Sequence, residues 1–517
     1  MRQPPERSAR RLTLTRAQVD RFAAASGDVN PLHVDPAFGR RSAFGGCIAH
    51  GALVTLAMLG TLEDAQLAGI SSLRASFASA VAPDAELSVL ARSGSRGRTE
   101  LVLSGRGKQL ARVLAGSEGD PAPPASAAAL AGPPGELAPM RTRAAERTAG
   151  ELHAGLAVSG AYGTGEELVE LADTLGAGAL PAPLREGLAW ASYVVGMELP
   201  GRDALFTGVT LGAGGGGPAA RQVVALREHD PRTGQLVLDG TLLDADGRAR
   251  ASARFECFLL AKPHAGPPAA ILAPPAGAVR GEVVVVGGSR GFGAALVLEL
   301  LAAGYGAHVV YAASTQSARA LAEAAGPCRE RLTLHELDAR DPVALDAIAE
   351  RLRSRGAPLA GLILNAATPP LPMGVSASAA AELSAYVADN VTLTAAPLGA
   401  LAALVDADAG WVVFTSSPAF ATPPRDWPQY AAAKGAIEGL AHWLATTSPR
   451  LRTVLLRPPK MATDFTNTPS GRLGAAPADE IARWTVAQLA GGELGPGLAI
   501  LEPGAAVSER EPVGAAT

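Results

Sequence analysis

Glu282-Val283-Val284-Val285-Val286-Gly287-Gly288-Ser289-Arg290-Gly291-Phe292-Gly293 is the stretch on which the fold of the C-terminal half turns. Its continuous β-branched run suits a parallel strand buried on both faces, where no polar alternation is expected. The glycines then open an apolar helical stretch, Ala294 to Ala303. Strand, Gly-rich turn and helix together aim backbone N–H groups and a helix N-terminus at a pyrophosphate. The spacing is G-x-x-x-G-x-G rather than G-x-G-x-x-G, and in a chain with 59 Gly such a turn alone also reads as a plain tight turn.

Gln429-Tyr430-Ala431-Ala432-Ala433-Lys434 adds chemistry to that frame in a chain with only six Tyr. Residues i and i+4 share a helix face, so phenol and ammonium can point into one site. A Lys ammonium beside a phenol favours phenolate and is expected to pull Tyr430 down from a pKa of about 10. Tyr430 would then exchange a proton with a carbonyl, with Ser417 as a second hydrogen-bond partner of the same oxygen. Alone, the pair also reads as a surface Lys one turn after a packed Tyr.

Together the two motifs resemble the short-chain dehydrogenase/reductase family, over roughly residues 278 to 505. The resemblance implies a Rossmann sheet with Ser417, Tyr430 and Lys434 catalytic and Asn390 completing a proton relay. It implies a nicotinamide cofactor held by Gly287, Ser289, Arg290, Gly291, Phe292 and Gly293, by Ser314, Asp338, Asn365 and Ala366, by Tyr430 and Lys434, and by Thr463. Val286 stands where the family usually has Thr, and Arg457-Pro458-Pro459 replaces its Pro-Gly. The second strand, Ala307 to Ala312, ends in Ala313-Ser314-Thr315, with no acid to hold a ribose 2′-hydroxyl. Arg290 can reach a 2′-phosphate with its forked donors. NADP(H) is therefore expected over NAD(H), with no metal.

The N-terminal half carries Phe22-Ala23-Ala24-Ala25-Ser26-Gly27-Asp28-Val29-Asn30-Pro31-Leu32-His33, then Ala43-Phe44-Gly45-Gly46-Cys47-Ile48-Ala49-His50-Gly51. Asn-Pro breaks a helix and starts a turn, so Asp28 and His33 flank the break and can converge on one water. A His with a carboxylate is suited to taking and returning a proton near neutral pH. Taken separately, Asp28 also reads as a turn cap and His33 as its hydrogen-bonded neighbour. The full string, with its downstream Ala-His-Gly, resembles the MaoC-like, R-specific enoyl-thioester hydratases. That resemblance implies a hot-dog fold, Asp28 and His33 as the catalytic pair, and the Gly51 N–H as an oxyanion-hole donor.

A hot dog wraps an antiparallel sheet around one helix, and the sequence supplies such a set twice. An apolar helix at Ala52 to Leu62 precedes strands at Leu73 to Ala80, Glu86 to Ala91, Glu100 to Gly105 and Gln109 to Leu114. A second helix, Leu184 to Val195, precedes strands at Ala204 to Leu211, Arg221 to Glu228, Gln235 to Leu243 and Ala249 to Leu260. The second set lacks the Asp-x-x-x-x-His string and reads as a degenerate repeat that packs against the first and helps to house an acyl chain.

The chain thus divides into a catalytic hot-dog repeat (1–118), a Pro/Ala-rich linker (119–149), a degenerate repeat (150–262), a second linker (263–278), a reductase domain (279–505) and a disordered tail (506–517). Its 517 residues fit several domains, and 48% hydrophobic with 18% charged composition fits packed cores. A net charge of −4 without basic clustering gives no footprint for nucleic acid. No uninterrupted apolar run reaches membrane-spanning length. Cys47, Cys257 and Cys328 lack metal spacing and read as reduced core thiols of a cytoplasmic protein.

A reductase of 3-oxoacyl thioesters and a dehydratase of 3-hydroxyacyl thioesters share an intermediate. The expectation is therefore a bifunctional ketoreductase–dehydratase of fatty-acid-like or polyketide synthesis. Its acyl group would ride on coenzyme A or an acyl carrier protein, and the protein would be a homodimer. The same residues run in reverse would serve β-oxidation. A tailoring ketoreductase with a non-catalytic hot-dog docking module is the other alternative.

Overall fold

The computed structural model describes residues 9–94, 98–117, 137–260, 279–356, 358–406, 409–469 and 471–503. The second linker, the tail and most of the first linker lie outside the described residues. The chain forms two compact units that meet near Lys262.

The first unit is built on one ten-stranded sheet. Its first half contains β1 (Arg10–Leu12), β2 (Ser72–Phe77), β3 (Leu87–Ser93), β4 (Thr99–Gly105) and β5 (Lys108–Gly116). Its second half contains β6 (Ala157–Ala161), β7 (Ala204–Ala213), β8 (Arg221–Asp230), β9 (Gln235–Leu243) and β10 (Ala249–Leu259). The order is β1-β3-β4-β5-β2-β7-β10-β9-β8-β6, so the halves repeat one another about the β2–β7 seam. There Leu73 faces Leu211 and Ala75 faces Val209, antiparallel. One apolar helix belongs to each half, Gly51–Leu59 and Ala182–Tyr193, both almost wholly buried. This is the expected double hot dog. The observed elements differ from the sequence reading mainly at their ends, where pattern gives least information.

Residues 138–147, read as part of a linker, are instead built into this unit. Ala161 N–H donates to the Ala138 carbonyl (2.8 Å), Arg202 N–H donates to the Ala145 carbonyl (2.8 Å), and Arg141 pairs with Glu198 (2.6 Å). Low hydrophobicity hid this because the segment is held by polar bonds rather than by an apolar face.

The second unit holds β11 (Glu282–Val286), β12 (Gly306–Tyr311), β13 (Leu332–Glu336), β14 (Gly361–Leu364), β15 (Trp411–Thr415), β16 (Arg452–Leu456) and β17 (Gly497–Leu501). All pairings are parallel, in the order β13-β12-β11-β14-β15-β16-β17. Val283 to Val286 are each fully buried, as a strand covered on both faces requires. The strand order reverses between β12-β11 and β14, which opens a crevice at their C-terminal ends. The helical stretch Ala377–Leu404 reaches membrane-spanning size by length and composition, at 28 residues with a mean hydropathy of 1.3. The sequence reading passed over it because Glu382 and Asp389 interrupt the apolar run. Cys257 and Cys328 are buried thiols, but Cys47 is only half-buried and is not a core residue.

Candidate active sites

In the first unit, helix Arg16–Ser26 stops at Gly27, whose φ of 75° lies in the left-handed region. Asp28 follows, 2% exposed. Asn30 then caps the short turn Pro31–Val34 by accepting the Leu32 N–H at 3.0 Å. Its amide also donates to the carbonyls of Gly196 (2.8 Å), Gly201 (3.2 Å) and Arg202 (3.2 Å). The helix-breaking Asn-Pro is therefore fastened to the second repeat.

The Asp28 carboxylate accepts the Ser192 hydroxyl on Oδ2 at 2.6 Å and the Asn30 N–H on Oδ1 at 3.2 Å. His33, half-buried, bonds the Ile48 carbonyl through Nδ1 at 2.8 Å. Only a protonated nitrogen can pair with a carbonyl, so the neutral ring keeps its lone pair on Nε2. His50 is fully buried, donates from Nε2 to the Asp28 main-chain carbonyl (3.0 Å) and stacks on His33 with ring centroids 3.8 Å apart.

Asp28, His33 and His50 present ligand atoms within 4.8 Å of one another, a spacing that could hold a cation. Each imidazole, however, already gives one nitrogen to a carbonyl. Burial pushes the Asp28 carboxyl up, against the His33 charge, the Ser192 hydroxyl and the Asn30 N–H. Burial pushes His33 down, and His50 well down with help from the His33 charge. Acid and base are thereby brought towards a common range, which suits proton exchange with a bound water. Gly51 opens its helix with no side chain capping the first turn, and an added Cβ would strike the Phe77 ring. Its N–H is free of intrahelical bonding and carries the positive end of the helix dipole.

In the second unit, the glycine turn is shaped by near contacts. Gly287 has φ 78°, and a Cβ there would meet the Ala366 backbone at 2.7 Å. A Cβ on Gly293 would run into the Gly287 carbonyl, which already accepts Asn365 Nδ2 at 3.0 Å. Gly291 faces Thr463 across 3.7 Å. Ser289 and Phe292 are buried beside them. This cradle, with the N-terminus of helix Gly291–Ala302 behind it, fits a dinucleotide pyrophosphate. Ser314 stands at the N-cap of Thr315–Ala324. Arg340 holds the Asp338 carboxylate at 2.8 Å, and Arg290 is paired with Asp464 at 3.3 Å. Glu336, at the end of β13, accepts from Thr315 (2.8 Å) and Tyr311 (3.3 Å). It thus places an acid beside the end of β12 that the linear reading could not see.

Tyr430 and Lys434 lie on helix Pro428–Thr447, and the Ser417 hydroxyl hydrogen-bonds the Tyr430 phenol. Lys434 Nζ donates to the Thr415 carbonyl at 2.8 Å and lies 5.5 Å from the Tyr430 ring centroid. The expected depression of Tyr430 is not found. Burial pushes its phenol up against the Ser417 bond, and burial pushes the Lys434 ammonium down to about 8. The pocket excludes the water that would favour either charged form, and the ammonium is turned to a carbonyl. Asn390 is buried and accepts the Thr368 N–H at 3.1 Å. Tyr386, whose hydroxyl donates to the Thr368 carbonyl at 2.7 Å, acts on Tyr430 as an electrostatic neighbour that the motif does not reveal.

Family models match residues 2–106 as a MaoC like domain and residues 282–471 as a short chain dehydrogenase. The chain carries a MaoC-like domain and a short-chain dehydrogenase domain. The MaoC-like part is similar to the (R)-specific enoyl-CoA hydratase of Aeromonas caviae, 47% identical over 57 residues. That match covers 11% of this chain and 42% of the relative, so the chain spans under half the length of the curated relative it matches. The dehydrogenase domain is similar to a short-chain dehydrogenase/reductase from Serratia marcescens, at 26% identity and a TM-score of 0.39, covering 44% of this chain and 98% of that one. It is also similar to one from Burkholderia multivorans with bound NADP, at 26% identity and a TM-score of 0.38, covering 43% and 96%.

Three residues that hold the MaoC-like site together escaped the sequence reading. His50 was quoted only as part of the string leading to Gly51. Ser192 and Gly196 sit in the repeat without a motif, and nothing in their local pattern marks them.

Proposed function

We propose that the protein is a bifunctional enzyme that reduces 3-oxoacyl thioesters and interconverts the resulting 3-hydroxyacyl thioesters with trans-2-enoyl thioesters, in fatty-acid-like or polyketide synthesis. The observation that carries it is the presence, in one chain, of a buried Asp28–His33 pair and of a Ser417–Tyr430–Lys434 set beside a dinucleotide cradle. In the first unit, Asp28 and His33 remove a proton from water as it adds at C3 and return one at C2, or run the same exchange backwards for dehydration. The Gly51 N–H polarises the thioester carbonyl.

In the second unit, the bound nicotinamide supplies the hydride. Tyr430 gives the alkoxide its proton, Ser417 holds the same oxygen, and Lys434 places positive charge behind the phenol. Burial keeps Tyr430 protonated, the form that reduction needs, and this supports the synthetic direction. NADP(H) is supported by Arg290 at the glycine turn and by the lack of an acid immediately after β12, although Glu336 approaches from β13. Exposed Trp443, 56% accessible on the helix that bears Tyr430, supports a homodimer through the dehydrogenase domain. Thiols with no disulfide support a cytoplasmic setting. Coenzyme A or a carrier protein would present the acyl group.

The test is incubation with a 3-oxoacyl thioester and NADPH, following absorbance loss and then product mass. Enoyl product supports both steps. Hydroxy product alone reduces the first unit to a docking module.

A further inference from the structure

The second repeat lacks the catalytic string, yet it supplies three kinds of contact to the residues that have it. Ser192 is 3% exposed, and its hydroxyl donates to Asp28 Oδ2 at 2.6 Å. Gly196 lies so close that any Cβ there would collide with the Asp28 carboxylate. The carbonyls of Gly196, Gly201 and Arg202 grip Asn30, whose own N–H holds Asp28 Oδ1. Gly196 reaches this position because helix Ala182–Tyr193 widens into a π turn over Val194–Glu198. Glu198 at the end of that turn is tied down by Tyr193 (2.8 Å) and Arg141 (2.6 Å). Widened turns of this kind concentrate at functional sites.

We propose that Ser192 is a positioning residue for the hydratase reaction, fixing the Asp28 carboxylate from the second repeat so that neither repeat has a working site without the other. This rests on the hydratase reading of Asp28 and His33. A hydroxyl donating to a carboxylate at this distance leaves one oxygen free and aimed, and it favours the ionised form. The other titratable or charged groups facing Asp28 are His33 and His50, with Tyr162 at its electrostatic fringe and Arg16 acting on the two imidazoles. None of them donates to Oδ2, so Ser192 is the group whose removal changes the carboxylate itself.

The sign follows directly. Loss of the hydroxyl removes a donor that favours carboxylate, so the Asp28 pKa rises and the acid limb of hydration moves to higher pH. Charge-assisted bonds of this kind correspond to a shift of about one unit. The experiment compares wild type, Ser192→Ala and Ser192→Thr by the pH profile of enoyl-thioester hydration. The Asp28 carboxyl carbon is also titrated by NMR in protein labelled at Asp, with Asp28→Asn assigning the signal. Expected is an upward shift of both limb and carboxyl titration in Ser192→Ala, restored by Ser192→Thr, with ketoreduction unchanged. An unmoved carboxyl titration in Ser192→Ala would overturn the proposal, even if the rate fell. If wild type fails to hydrate, the hydratase reading fails, while the carboxyl titration still decides whether Ser192 controls Asp28.

Discussion

Ser192 donates a 2.6 Å hydrogen bond to Asp28, 164 residues earlier in the chain, and both are buried in the first unit. Each belongs to a different hot-dog repeat, so losing the catalytic string from the second repeat did not turn it into mere packing. A buried carboxylate needs partners, since an unpaired one is costly to keep ionised. The second repeat meets that need with a hydroxyl, and with carbonyls that brace the Asn30 turn.

Asp28→Asn and His33→Ala are each expected to lower enoyl-thioester hydration by about 10²–10⁴-fold while leaving NADPH oxidation intact. The double variant should be little worse than either single, because two groups acting on one water fail together. Hydration rates of the three variants check this, and losses that multiply would show independent roles.

Much of this was legible in the sequence because the information was local. The Val283 to Val286 run and the glycine turn define β11 and its helix within a dozen residues. Alternating strands likewise placed β2 to β5 and β7 to β10 nearly at their observed bounds. What stayed hidden depends on distant partners. Ser192 and Gly196 matter only through Asp28, and Glu336 reaches the end of β12 only through strand pairing with Tyr311. The Lys434 effect on Tyr430 was misjudged because spacing gives proximity but not burial, and burial dominates both groups.

Tyr430→Phe keeps the ring, including its edge contact with Trp427 at 5.8 Å, and removes the proton. Ketoreduction should fall by about 10²–10⁴-fold with hydration untouched. Rates within tenfold of wild type would remove Tyr430 from the role of acid.

Arg290→Ala should weaken NADPH binding by about tenfold or more and NADH binding little, because a guanidinium recognises a phosphate far better than a hydroxyl. Arg290 is now paired with Asp464 at 3.3 Å, so Asp464→Asn should tighten NADPH binding by releasing it. Fluorescence titration of the two cofactors reads this without turnover. Equal weakening for both would place the 2′-phosphate contact elsewhere, with Arg319, an electrostatic neighbour of Tyr311, as the next candidate.

Burial pushes the Lys434 ammonium down to about 8, opposed by the negative charge of Glu438 one turn along the helix. The charged form that supports Tyr430 is therefore present below that pH and is lost as pH rises through it. Tyr430 is pushed upward, so its proton remains available over the same interval. The pH profile of kcat/KM for NADPH reports the free enzyme, and it should fall on the alkaline side near the Lys434 value rather than near an ordinary lysine's. Glu438→Gln removes the charge that raises Lys434 and should move this limb to lower pH. Glu438 also bonds Ser416 (2.7 Å) and Arg457 (2.7 Å), so a thermal melt of the variant must accompany the profile. A limb that stays in place in a stably folded Glu438→Gln protein would show that a group other than Lys434 sets it.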